Sequence, residues 1–149
     1  MKKVLVTLVL LMSVVRLEAQ ILQPVKWSYA AKKTSSLEAI ISFKAELDEG
    51  WHMYSQHVED GGPTKTVFKF MPSSQYLLIG GTRESKSIQK FEKLFGMSVR
   101  YFEREAVFQQ KIKLKSAKSI MIKGTISFGA CNDSTCIPPE EINFNLTVR

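Results

Sequence analysis

The 149-residue sequence is poor in the residues from which most active sites are built, with two cysteines and two histidines in all. Two cysteines allow one disulfide, so no multi-bridge scaffold holds this chain. It shows no Ser/His/Asp order, no phosphate-cradling glycine loop and no paired-carboxylate signature, which removes the common hydrolase and nucleotide-binding patterns. Lysines and arginines outnumber acids, with a formal net charge of +7, yet they are spread along the chain. Runs such as Lys111-Ile112-Lys113-Leu114-Lys115 read as solvated strand faces, and without a basic cluster and reading motif nucleic acid is not expected as a partner. Long helical periodicity, internal repeats, linkers and low-complexity tracts are also missing. No small-molecule substrate is evident.

What is present begins with an address. Lys2 and Lys3 precede an uncharged apolar run, Val4–Val15, and Arg16-Leu17-Glu18-Ala19 offers a small residue before Gln20. This reads as a secretory leader over residues 1–19, too short for a spanning helix of about 20 residues. No cysteine lies near the cleavage point, so a lipid anchor is not expected. Removing the leader leaves one domain, residues 20–149, that does not span the membrane, and lowers the formal charge to +5. About 130 residues suffice for a single core.

Beyond the leader, segments of period-two alternation are separated by turn residues. The expected strands are Val25–Tyr29, Leu37–Leu47, Trp51–Ser55, Thr66–Phe70, Tyr76–Ile79, Ser98–Phe102, Ala106–Leu114, Ser119–Phe128 and Glu141–Val148. Lys32 to Ser36, Asp48-Glu49-Gly50, Gly61-Gly62-Pro63, Met71-Pro72 and Gly80-Gly81 interrupt them, and Arg83 to Met97 is irregular. Trp27, Trp51, Phe43, Phe68, Phe70, Phe108, Phe128 and Phe144 are the expected core. The fold class is all-β, an immunoglobulin-like sandwich whose last two strands pair as a hairpin with both cysteines in the connection.

That connection is Gly129-Ala130-Cys131-Asn132-Asp133-Ser134-Thr135-Cys136-Ile137-Pro138-Pro139. An even pair in an exported chain is first of all evidence for a disulfide. A ring this short restricts the unfolded chain by only about 2 kcal/mol, and the polar loop should lie at the surface, within reach of a partner's thiolate. Two readings stand: a redox centre, or an inert staple in a β-sandwich binding or accessory module. The sequence neighbourhood holds Asp133, Glu140 and Glu141 and no cation that would activate a thiol, so a redox pair would act through access. His52 and His57 with the two cysteines also have spacings that zinc tolerates, although exported thiols tend to oxidise. Met53, Met71 and Met97 are scattered, as gap-filling methionines usually are, rather than a copper set. No metal or cofactor is expected.

The chain resembles the family of the N-terminal periplasmic domain of the thiol:disulfide interchange protein DsbD, the disulfide bond corrector domains. The resemblance lies in Gly50-Trp51-His52-Met53-Tyr54-Ser55, Asp60-Gly61-Gly62-Pro63-Thr64, Phe91-Glu92-Lys93-Leu94-Phe95-Gly96 and Cys131-Asn132-Asp133-Ser134-Thr135-Cys136-Ile137-Pro138-Pro139. It implies a soluble periplasmic electron carrier, a component of protein-disulfide reduction, working with thioredoxin-fold redox proteins and a separate membrane electron donor. By the same likeness Cys136 would form the mixed disulfide and Cys131 would resolve it. A cap over Glu92–Gly96 would shield the pair, with Leu94 where an aromatic often sits and Phe95 next to it. His52 and Tyr54 would lie beside the site as shielding or partner-binding residues. Some members of the family have one more residue between the cysteines than the four here.

Overall fold

The computed structural model describes residues 22–149, so the expected leader over residues 1–19 lies outside the described residues. Eleven strands follow in chain order: β1 (Val25–Ser35), β2 (Glu38–Leu47), β3 (His52–Tyr54), β4 (Val67–Phe70), β5 (Tyr76–Glu84), β6 (Ile88–Glu92), β7 (Met97–Glu103), β8 (Glu105–Leu114), β9 (Ile120–Phe128), β10 (Ala130–Cys131) and β11 (Glu140–Val148). Among the described residues no helix is long and apolar enough to cross a membrane. The strands form antiparallel sheets ordered β1-β2-β8-β5, β10-β3-β7-β6 and β11-β9-β4.

The alternation in sequence becomes alternation in burial. β8 buries Ala106, Phe108, Gln110, Ile112 and Leu114, and β2 buries Ala39, Ile41, Phe43 and Ala45. Their register pairs Phe43 with Phe108 and Ala45 with Ala106, so both sets share one face. That face meets the aromatics of β4, β9 and β11. Phe43 lies 4.9 Å from both Phe68 and Phe144, and Phe68 lies 4.9 Å from Phe108, between ring centroids. Trp27 closes the seam against Phe68, Phe108 and Phe128. The core joins residues from all three sheets, and the chain is the immunoglobulin-like sandwich that the alternation predicts.

Two expectations differ from the structure. The first strand runs on through Lys32 to Ser35, because its continued pairing with β2 outweighs the polar composition. The stretch Arg83 to Met97 is regular: β5 extends to Glu84, and β6 makes a hairpin with β7. β6 is exposed on nearly every residue, so it lacks the apolar alternation by which a half-buried strand is recognised. The break at Gly80-Gly81 is a bulge between Ile79 and Arg83, with Gly80 at φ 66°. Buried Gln110 serves it: the amide donates to the carbonyls of Ile79 and Gly80, and Oε1 accepts from Thr82 Oγ1.

The cysteine loop hangs from the β9–β11 hairpin, which pairs from Phe128↔Glu140 to Ile120↔Val148. Beyond Phe128 the chain changes partner. The Gly129 carbonyl accepts from Tyr54 N at 3.2 Å, and β10 pairs with β3 as Ala130↔Met53 and Cys131↔His52. Position 129 has no room for a side chain, since a Cβ would press on Thr64.

Gly124 is tighter still: a Cβ there would collide with the Lys69 carbonyl oxygen and the Phe144 ring. Gly124→Ala is therefore expected to destabilise the fold by about 1–3 kcal/mol or more, read as a lower urea midpoint. An unchanged midpoint would show that β4 and β11 move away from β9 there without cost.

Candidate functional site

Cys131 and Cys136 are joined, with S–S 2.03 Å and Cα–Cα 3.9 Å. They face each other across a small turn of their own. Asn132 N donates to the Thr135 carbonyl at 2.8 Å, and Asn132 Oδ1 accepts from Ser134 N at 2.9 Å and Thr135 N at 2.8 Å. Asparagine suits this place because its side chain mimics a backbone turn. Ile137 N returns to the Ala130 carbonyl at 3.0 Å, and the buried Ile137 side chain anchors the descending limb. The two sulfur-bearing residues are unequal: Cys131 is 6% exposed, whereas Cys136 is exposed to solvent.

The pair opens into a cleft of about 770 Å³, which it shares with His52, Tyr54, Leu94 and Phe95. All six residues expected at the site are thus brought together. Their places differ. Leu94, at the tip of the β6–β7 turn, is 80% exposed, while Phe95 is half-buried and packs against the cluster of Tyr54, Tyr101 and Cys131. Its ring stands edge-on to Tyr54 at 6.3 Å. Gly96 at φ 64° closes the turn, with Gly96 N donating to the Glu92 carbonyl at 2.9 Å.

His52 is half-buried, its Nε2 3.2 Å from the Tyr54 hydroxyl and its ring centroid 5.1 Å from that of Tyr101. Burial holds its pKa below the usual histidine value; Glu92, Asp133 and Glu103 oppose this and Lys90 reinforces it. Burial, helped by Glu92, pushes the Tyr54 hydroxyl up to about 12, so it remains a neutral hydrogen-bonding group. Burial likewise raises Tyr101.

Sequence reasoning missed several lining residues. Tyr101 and Glu103 reach the site through the cross-strand pairs Tyr54↔Tyr101 and His52↔Glu103, and register is invisible in a single chain. Lys90 and Arg104 also line the cleft, so the apparent lack of cations near the cysteines holds only along the sequence. Lys90 sits 3.7 Å from Glu92. His57 is not part of the site: it is exposed, its backbone N–H donates to Ser55 Oγ, and it does not line the cleft. Among the described residues no group of three or more His, Cys, Asp or Glu side chains is placed to hold a metal ion. Met53 lies in the main core, Met97 packs beside Cys131's cluster and Met71 is exposed, so the three methionines form no set.

The chain matches the family model "Thiol:disulfide interchange protein DsbD, N-terminal" over residues 18–148. Among solved structures it is similar to the N-terminal periplasmic domain of ScsB from Proteus mirabilis, with TM-score 0.61 and 19% identity, over 85% of this chain and 49% of that one. It therefore spans about half the length of that structure. The N-terminal domain of Neisseria meningitidis DsbD in its reduced form gives TM-score 0.54 at 21% identity, over 86% of this chain and 90% of that one. A structure of the complex between the DsbD N-terminal and PilB N-terminal domains of Neisseria meningitidis gives 0.50 at 18% identity, over 80% of each chain. Comparison with curated protein sequences gives no significant match.

The depressed pKa of His52 has a consequence for stability. As pH falls through the ordinary value of 6.5, the unfolded chain takes up a proton that folded His52 resists, so stability is lost toward acid. His52→Gln is expected to lose less melting temperature than the parent between about pH 7 and about pH 5. Equal slopes in the two proteins would remove His52 as a cause.

Proposed function

The chain belongs to the DsbD N-terminal family, and on that premise we propose that it is an exported thiol–disulfide exchange domain carrying electrons through Cys131 and Cys136. The observation that carries this reading is the unequal burial of a disulfide set in a cleft. A partner's thiolate reaches the exposed Cys136 sulfur, a mixed disulfide forms there, and Cys131 leaves as the reduced sulfur. The partner's second thiol then attacks its own sulfur in the mixed disulfide and departs as a disulfide. This domain is left as the dithiol. Run in reverse against an oxidised acceptor, the same steps pass the electron pair onward.

The partners in this reading are thioredoxin-fold redox proteins, with a membrane electron donor upstream of them. A related DsbD domain captured with the PilB N-terminal domain supports a protein partner. The setting is the periplasm, reached by removal of residues 1–19 and leaving residues 20–149 as the working domain. In this reading Phe95, packed against the cluster that holds Tyr54 and Cys131, shields the pair, and the exposed Leu94 offers an apolar side chain for a docking protein.

Cysteine variants test the roles. Cys131→Ala should accumulate a mixed disulfide with a thioredoxin-fold partner, and Cys136→Ala should trap none, read on non-reducing gels. Trapping that survives in Cys136→Ala would reverse the assignment. The reduction potential tests the reading as a whole. A carrier is expected between about −270 and −180 mV, whereas a pair still oxidised below about −300 mV would make the disulfide a staple.

A further inference from the structure

The pairing of β10 with β3 sets Cys131 directly opposite His52. Directly opposed residues of an antiparallel pair project to the same face, with Cβ atoms about 4.5–5.5 Å apart. Both side chains line the same cleft. One ring nitrogen of His52, Nε2, meets the Tyr54 hydroxyl, and the described hydrogen bonds leave Nδ1 without a partner. We propose that His52 is the proton acceptor and donor for the Cys131 sulfur during exchange, a role that rests on the thiol–disulfide reading above.

The surroundings suit such a relay. The groups facing His52 are Tyr54 on its own strand, Tyr101 and Glu103 on β7, Lys90 and Glu92 on β6, and Asp133 in the cysteine turn. Burial keeps the imidazole neutral at rest, and Glu92, Glu103 and Asp133 stabilise the imidazolium once it has taken a proton. A bare thiolate at the buried sulfur would lie in a cleft lined by Glu92, Glu103 and Asp133 as well as by Lys90 and Arg104. Transfer of its proton to His52 leaves an ion pair in place of an isolated anion.

The balanced step concerns the mixed disulfide on Cys136. The Cys131 S–H bond breaks and its proton passes to the bare Nδ1 of His52, in the tautomer whose Nε2–H donates to the Tyr54 hydroxyl oxygen. The sulfur attacks Cys136 Sγ, the Cys131–Cys136 bond forms, and the bond from Cys136 to the acceptor sulfur breaks. The acceptor leaves as a thiolate with the electron pair, and His52 returns its proton to water. In the opposite direction His52 takes a proton from water and delivers it to Cys131 as that sulfur leaves.

Dithiobis(nitrobenzoate) isolates this step. The reduced protein attacks it through Cys136 and releases one thionitrobenzoate; Cys131 then expels the second. The second release should be at least about tenfold slower at pH 7 in His52→Gln than in the parent. Its rate should level off above the histidine titration in the parent, and keep rising about tenfold per pH unit in the variant until the thiol titrates. Added imidazole should restore speed to His52→Ala. Release in His52→Gln at the parental rate and pH profile overturns the assignment. Slow release that imidazole does not change assigns His52 to packing and overturns it equally. A parent that releases a single equivalent refutes the exchange reading itself, and the relay falls with it.

Discussion

The seam of aromatic rings centred on Phe43 is the contact on which the rest depends. It holds β2 and β8 against β4, β9 and β11, and its members come from strands distant in sequence. Close packing of this kind tolerates neither added nor missing volume. β9 is therefore fixed, with Phe144 lying over Gly124 and Phe128 against Trp27. Once β9 is fixed, so is the point at Gly129 where the chain leaves β4 and β11 and joins β3. The disulfide turn is placed by the core although it lies outside it.

That placement separates two demands that one sulfur could not meet. Exchange needs a sulfur that a bulky partner can approach, and it also needs a leaving sulfur whose surroundings can be controlled. The small turn capped by Asn132 leaves Cys136 exposed, and in the proposed exchange the first demand falls to it. In the proposed exchange the second falls to Cys131, which pairs with β3 and is buried in the cluster of Tyr54 and Tyr101 against which Phe95 packs. The ring restricts the unfolded chain by only about 2 kcal/mol, less than a bridge between distant strands would.

Much of this was legible in the sequence. Phe43, Phe108, Phe128 and Phe144 announce their burial by alternation, and the prolines and polar residues around Cys131 and Cys136 mark a surface loop. Phe95, set beside Leu94 by motif alone, proves to be the packed member of the two. β6 escaped because Ile88 and Phe91 are exposed along with their polar neighbours, leaving no burial period to detect. Tyr101, Glu103 and Arg104 escaped for another reason. Their nearness to the cysteines is created by strand register and by the one-residue turn at Arg104, whose φ of 64° no local pattern foretells.

The bulge in β5 has a further consequence. β5 is the outer strand of its sheet, and Leu77, Leu78 and Ile79 are exposed along it. A flat apolar edge of this kind would invite another chain to add to it and seed aggregates. Here the strand is interrupted just beyond Ile79, and Gln110 holds the carbonyls of Ile79 and Gly80 from within the sandwich. A ladder started on this edge would lose its register after a few residues. The buried amide thus limits how far another strand could extend along this apolar edge.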